Sequence, residues 1–179
     1  TMHNKKALFD VKCSRTLVDG LKDLGIESIM YRTGNSYCNM KMQENIDDPD
    51  DDFDFGGEYS GHLFFRDRYD GFDDGIYGGL RLIEILSKTD KKFSELLEGA
   101  HHYYATEETK IEVTESIKFE ITQALKEYVI NKGYDYKDID GVRAEFEDGW
   151  ALVRASNTGP NLIVRFEAKT KERLSEIQQ

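Results

Sequence analysis

With 179 residues, 39% of them hydrophobic, the chain can bury a sizeable core in one large or two small domains. Its 24 Lys and Arg face 35 Asp and Glu, and the net charge of −11 sets the molecule against nucleic acid and anionic membrane surfaces. Any phosphorylated ligand must then be held by a local group of arginines rather than by the overall field.

Ala7 to Val11 reads as a short apolar strand. A helix follows with Leu17, Val18, Leu21 and Leu24 on one face, Ser14 placed to cap its start and Gly25 to end it. Ile29 to Tyr31 reads as a second strand, so the order strand, helix, strand implies a right-handed crossover between parallel strands. Asn45 to Asp54 is dominated by aspartate around Pro49 and reads as a solvated surface loop. It lacks the ligand alternation, bend glycine and terminal glutamate of a calcium loop. Leu63 to Phe65 is a further strand, and Asp73 or Asp74 caps a helix whose Ile76, Leu80 and Ile83, flanked by Leu82 and Leu86, are expected to face a core.

A polar stretch then marks a hinge within residues 87–99, which divides the chain into domains at 1–92 and 93–179. Ile111 and Val113 alternate with polar residues as a strand, and Ile117, Ile121, Leu125 and Val129 line a helix that ends at Gly133. Val142 to Phe146, Ala151 to Ala155 and Leu162 to Phe166 follow as antiparallel strands, with a clear turn at Glu147-Asp148-Gly149. Lys169 to Ile177 is a last helix. The expected fold class is α/β followed by α+β, the second domain being one antiparallel sheet with helices on a single face.

Two segments carry candidate chemistry. In Gly56-Gly57-Glu58-Tyr59-Ser60-Gly61-His62 an extended backbone would project Glu58, Ser60 and His62 from one face, a carboxylate, a hydroxyl and an imidazole able to read sugar hydroxyls. The plain alternative is a strand edge with a glycine bulge and a Glu58–His62 ion pair. In the second segment, a turn centred between Gly159 and Pro160 would set Arg154 opposite Arg165. Like charges facing each other across a sheet are unfavourable unless a dianion sits between them, and Ser156, Asn157 and Thr158 would complete such a site with hydroxyl, amide and N–H donors. Otherwise the arginines pair with Glu145, Glu147 or Glu167. Lys12 lies beyond the first strand, where ligands gather in parallel α/β sheets. His101 and His102, beside Tyr103 and Tyr104, read as packing residues.

The two cysteines, Cys13 and Cys38, lack any paired or metal-binding spacing and read as buried, reduced thiols of a cytoplasmic protein. No apolar run reaches the length of a membrane span, and Thr1 to Lys6 lacks the apolar core of a signal peptide. Because Thr1 precedes Met2, the chain reads as a cut piece of a longer one.

Several stretches resemble the α-D-phosphohexomutases, of the bacterial phosphomannomutase/phosphoglucomutase kind. They are Phe9-Asp10-Val11-Lys12-Cys13-Ser14, Arg32-Thr33-Gly34, Gly57 to His62 with Phe64-Phe65, Gly71-Phe72-Asp73-Asp74-Gly75-Ile76-Tyr77, and Asp148-Gly149-Trp150 through Arg154-Ala155-Ser156-Asn157-Thr158 to Arg165-Phe166-Glu167. The resemblance implies the third and fourth of the family's domains: a partial three-layer α/β domain that reads the sugar, then a small TATA-binding-protein-like α+β domain that grips phosphate. It implies an isomerase that interconverts hexose 1-phosphate and hexose 6-phosphate through a hexose 1,6-bisphosphate, with mannose or glucose as the sugar. The family's phosphoserine and Mg2+-binding aspartates belong to earlier domains of the same chain and have no counterpart here, so the fragment alone is expected to be inactive. Carried onto this sequence, Glu58 and Ser60 bind sugar hydroxyls, with His62 a possible aid to proton transfer. Lys12 contacts substrate, and Arg154, Ser156, Asn157, Thr158 and Arg165 hold phosphate. The form Glu58-Tyr59-Ser60 resembles the mannose/glucose branch, whereas Asn35 stands where the family commonly has histidine. A non-catalytic phosphosugar-binding module is the alternative reading.

Overall fold

The computed structural model describes residues 5–44 and 52–179, which form two compact units, Thr1–His101 and His102–Gln179. The division falls later than the change of pattern after Lys92, and His101 bonds back to Asp23 within the first unit (Nε2 to Oδ2, 2.8 Å).

The first unit opens with β1 (Lys6–Asp10), α1 (Arg15–Asp23) and β2 (Glu27–Tyr31), and the two strands pair in parallel with Leu8 opposite Ile29. Ser14 caps α1 by accepting from the Thr16 N–H at 3.0 Å, and Gly25 ends the turn that follows. Then come α2 (Asn35–Gln43), β3 (Phe55–Gly57), β4 (Leu63–Phe65) and α3 (Gly75–Ser87). The sheet order is β2-β1-β3-β4, with β3 parallel to β1 and β4 antiparallel to β3. On one face Leu8 and Phe64 pack with Cys38 and Met42 of α2 and with Phe53. Leu63 and Phe65 point to the other face, against Gly78 of α3. Helices therefore cover both faces, the three-layer arrangement.

Two expectations for this unit change. In the aspartate run, residues 45–51 lie outside the described residues, but Phe53 and Asp54 are buried and Asp54 accepts from the Lys5 N–H at 2.9 Å, so the end of the run belongs to the fold rather than to solvent. On α3, Ile76, Leu80 and Ile83 are not turned to a core: they are 81%, 57% and 62% exposed. The helix is held through its other side, where Tyr77 meets Phe65 and Arg81 stacks on Phe65 while pairing with Asp67.

The second unit contains β5 (Tyr104–Ala105), β6 (Thr109–Glu112), α4 (Ile117–Asn131), β7 (Asp135–Lys137), β8 (Val142–Phe146), β9 (Gly149–Ala155), β10 (Asn161–Ala168) and α5 (Lys171–Ile177). All pairings are antiparallel, in the order β5-β10-β9-β8-β7 with β6 also on β10. Leu125 and Val129 of α4 and Ile177 of α5 line the same apolar cavity as Val142, Ala144, Ala151, Val153 and Phe166, which puts both helices on one face. The start of α4 departs from its apolar pattern: Ile117 is exposed while Lys118 is buried.

Candidate functional site

In the first unit the site is built at the ends of β1 and β3. Glu58 to His62 is not extended: it is the turn of the β3–β4 hairpin, closed by the Glu58 N–H to the His62 carbonyl at 3.0 Å and the Gly61 N–H to the Glu58 carbonyl at 2.9 Å. Gly61 has φ +95°, a conformation that side chains with a Cβ rarely adopt, so the chain turns there and the alternate-face argument fails. Glu58 and His62 still meet one loop, at Gly34 and Asn35, for a different reason. Asp10, fully buried at the end of β1, accepts from the Tyr59 N–H at 3.2 Å and from the Thr33 hydroxyl at 3.0 Å, and so pins the turn to the loop after β2.

Within that turn Glu58 is 6% exposed and its Oε1 accepts from the Gly34 N–H at 2.6 Å. Its Oε2 is buried and finds no hydrogen-bond partner among the described residues, the weakly donating Cys38 thiol being the group that stands near the carboxylate. Burial pushes the carboxyl above its usual range, and Asp10 pushes the same way; the Gly34 bond, His62 and Lys12 pull it back. Lys12 is buried beside it, with its ammonium 5.5 Å from the Tyr59 ring centroid. Ser60 stands exposed at the tip of the turn.

His62 is set by Asp73, which lies just before α3. Its Nδ1 is 2.7 Å from Asp73 Oδ2, and the same oxygen accepts from Asn35 Nδ2 at 2.8 Å. An amide N–H cannot donate to a nitrogen that itself carries a proton, so the 3.2 Å approach of Asn35 Nδ2 to His62 Nδ1 is two donors sharing one acceptor. A carboxylate oxygen only accepts, so the 2.7 Å contact with Asp73 places a proton on Nδ1, and in the neutral imidazole Nε2 is the acceptor.

In the second unit Arg154 and Arg165 do not face each other. The register is offset from the expected centre: Arg154 lies opposite Ile163 and Arg165 opposite Leu152. Paired residues share a face, so the two arginines are diagonal neighbours on the face away from the helices. Arg143 joins them there, opposite Leu152 on its other side. Trp150 is fully buried among them, 4.0 Å from Arg143 and 5.6 Å from Arg165 by ring centroid, and it donates to Glu167 at 2.9 Å. Arg154 is buried, its Nε donating to Asp140 at 2.9 Å, and its Nη2 is buried with no partner among the described residues. Asp140 reaches it across Gly141, where a Cβ would lie 2.4 Å from the Val153 carbonyl oxygen. The turn Ser156 to Gly159 closes with the Thr158 N–H to Ser156 Oγ at 3.3 Å, leaving Asn157 and Thr158 exposed.

Residues 1–104 match the family model for phosphoglucomutase/phosphomannomutase, alpha/beta/alpha domain III, and residues 108–179 match that for the C-terminal domain. The chain belongs to the phosphoglucomutase/phosphomannomutase family. It is 41% identical over 171 residues to the phosphomannomutase/phosphoglucomutase of Pseudomonas syringae pv. tomato, covering 96% of this chain and 36% of that relative. The phosphoglucomutase/phosphomannomutase family protein of Burkholderia thailandensis superposes with a TM-score of 0.84 at 36% identity, covering 97% of this chain and 35% of that one. At 14% identity and a TM-score of 0.59, the Aspergillus fumigatus N-acetylphosphoglucosamine mutase, solved with GlcNAc-6P and magnesium, shares the fold over 97% of this chain and 40% of its own. The chain thus spans about a third of the length of its relatives and carries two of the family's domains, III and IV.

No group of three or more His, Cys, Asp or Glu side chains poised for a metal occurs among the described residues, and no helix there is long and apolar enough to cross a membrane. Sequence reasoning passed over Asp140 and Lys118 and gave no such role to Asp10 or to Asp73, which it offered as a cap of α3 where Asp74 serves; each contacts a candidate site residue or its turn. Arg143 had a local signal, since it alternates with the apolar residues of a short strand.

Proposed function

We propose that this chain is the substrate-binding half of a phosphomannomutase/phosphoglucomutase that interconverts hexose 1-phosphate and hexose 6-phosphate. The observation that carries the reading is the orphaned Oε2 of Glu58: a buried carboxylate oxygen without a donor is costly, and a sugar hydroxyl supplies one. Lys12 limits the cost of the charge, Ser60 offers a second polar contact, and His62 presents Nε2 as a proton acceptor. Arg154 Nη2 is the matching vacancy for an anion in the second unit, where Ser156, Asn157, Thr158 and Arg165 supply further donors to phosphate. Contacts made to parts of a substrate remote from the reacting phosphoryl group orient it before chemistry begins, which lowers the entropic part of the barrier.

The phosphoryl-donating serine and the magnesium ligands are assigned to the parent's other domains, with hexose 1,6-bisphosphate as activator, mannose or glucose as the sugar and the cytoplasm as the setting. Magnesium, when bound there, neutralises charge on the transferring phosphoryl group. Titrating the chain with inorganic phosphate and with glucose 1-phosphate tests the assignment by amide shifts. Both ligands should move Ser156 to Gly159, and only the sugar phosphate should move Gly57 to His62. Movement at neither segment overturns the reading. With hexose phosphate and bisphosphate the chain alone should show no sustained turnover.

A further inference from the structure

Lys118 lies in the first turn of α4, is 3% exposed, and was not assigned by any pattern in the sequence. A lysine is almost never buried this deeply unless its charge is matched. Its ammonium has three donors, and three acceptors surround it: the Ser156 carbonyl at 2.9 Å, the Gly159 carbonyl at 3.4 Å and Glu115 Oε1 at 2.5 Å. Two of the three are backbone carbonyls from the two ends of a single turn, the one that carries Ser156, Asn157 and Thr158.

We propose that Lys118 is the positioning residue of the phosphate-binding turn, an inference that rests on the phosphate reading above. An anion is repelled by carbonyl oxygens and attracted by N–H, hydroxyl and amide groups. In a tight turn the carbonyls must go somewhere. Lys118 draws those of Ser156 and Gly159 towards the start of α4, and Asn157 and Thr158, between them, are left exposed. Glu115, mostly exposed, completes the ammonium's shell without closing off the turn. The donor array is thus set before a ligand arrives, the condition under which polar sites bind tightly. Lys118 need not touch the phosphate to do this.

The test is inorganic phosphate binding by the chain and its Lys118→Met and Lys118→Arg variants, followed by amide shifts at Ser156 to Gly159 with thermal melts in parallel. Lys118→Met should bind phosphate about tenfold more weakly, a change of about 1.4 kcal/mol. Lys118→Arg, which keeps the donors, should recover most of that affinity. A Lys118→Met protein that melts lower but binds phosphate as tightly as the parent would mean that Lys118 only stabilises the unit, and the inference falls. If the unaltered chain shows no shift at the turn, the phosphate reading itself fails and this inference falls with it. Should Lys118→Met not fold, the ammonium resonance of Lys118 in the unaltered chain decides. It should be protected from exchange at neutral pH and should move on phosphate saturation. A resonance no more responsive than that of Lys126 overturns the proposal.

Discussion

Glu58 is the residue at which stability and the proposed sugar binding are set against each other. Its folded-state carboxyl titrates above the usual range, so between the unfolded and folded values the folded protein holds a proton that the unfolded chain has released. The stability tied to the protonated form is complete below pH about 4.5 and is lost as pH rises through the folded value. Glu58→Gln keeps an acceptor for the Gly34 N–H and removes the charge. It should therefore melt higher than the parent chain at pH 7.5, by roughly 3 °C, with the gap closing near pH 4. The same variant should lose the sugar-dependent shifts at Gly57 to His62. Cys38 lies in the same neighbourhood, and burial, with the charges of Glu58 and Asp10, pushes its thiol up to about 12. Thiol reagents at pH 8 should label it only as fast as the unit opens. For His62 the relevant change is Asp73→Asn. Loss of the carboxylate should shift the imidazole towards the Nε2–H tautomer, read from its ring 15N shifts, while phosphate binding at Ser156 to Gly159 stays unchanged.

At the scale of elements, turns and registers proved harder to read than strands and helices. β1, β2 and the three long strands of the second unit show their apolar runs, and Ser14 and Gly25 announce the ends of α1. α2 escaped because its two core residues, Cys38 and Met42, are embedded in polar sequence with no amphipathic stripe. The Arg154 register was misjudged because nothing local distinguishes a turn centred between Gly159 and Pro160 from the pairing that forms, Leu162 with Ala155. The apolar stripe of α3 shows that periodicity marks a face and is silent on whether anything covers it. Gly141 gives the element-scale prediction. It has φ +77°, and a Cβ there would lie 2.5 Å from that of Arg154, so Gly141→Ala should force β8 away from β9 and break the Asp140–Arg154 pair. A cost of about 3 kcal/mol is expected, seen as an earlier urea midpoint for amides of the second unit with those of β1 and β2 unchanged.

For the whole molecule, the net charge of −11 disfavours anions at the surface at large, and the buried arginines of the second unit are the local exception on which the proposed phosphate site rests. Composition alone set the molecule against polyanions and meant that any phosphorylated ligand would need a local cationic site. Residue order then determined the strand and helix content, the order of the two units and, through matched stretches such as Glu58 to His62 and Arg154 to Thr158, the family. These properties are local, because hydrogen-bonding periodicity, turn chemistry and motif spacing are all written within a few residues. Tertiary structure decided how the candidate sites are held. Asp10 reaches the turn around Tyr59, Asp73 contacts His62, Asp140 anchors Arg154 and Lys118 gathers the carbonyls of the turn Ser156 to Gly159. Each of these joins segments separated in sequence, and for the buried Asp10, Arg154 and Lys118 it helps to compensate the water that burial strips from a charge.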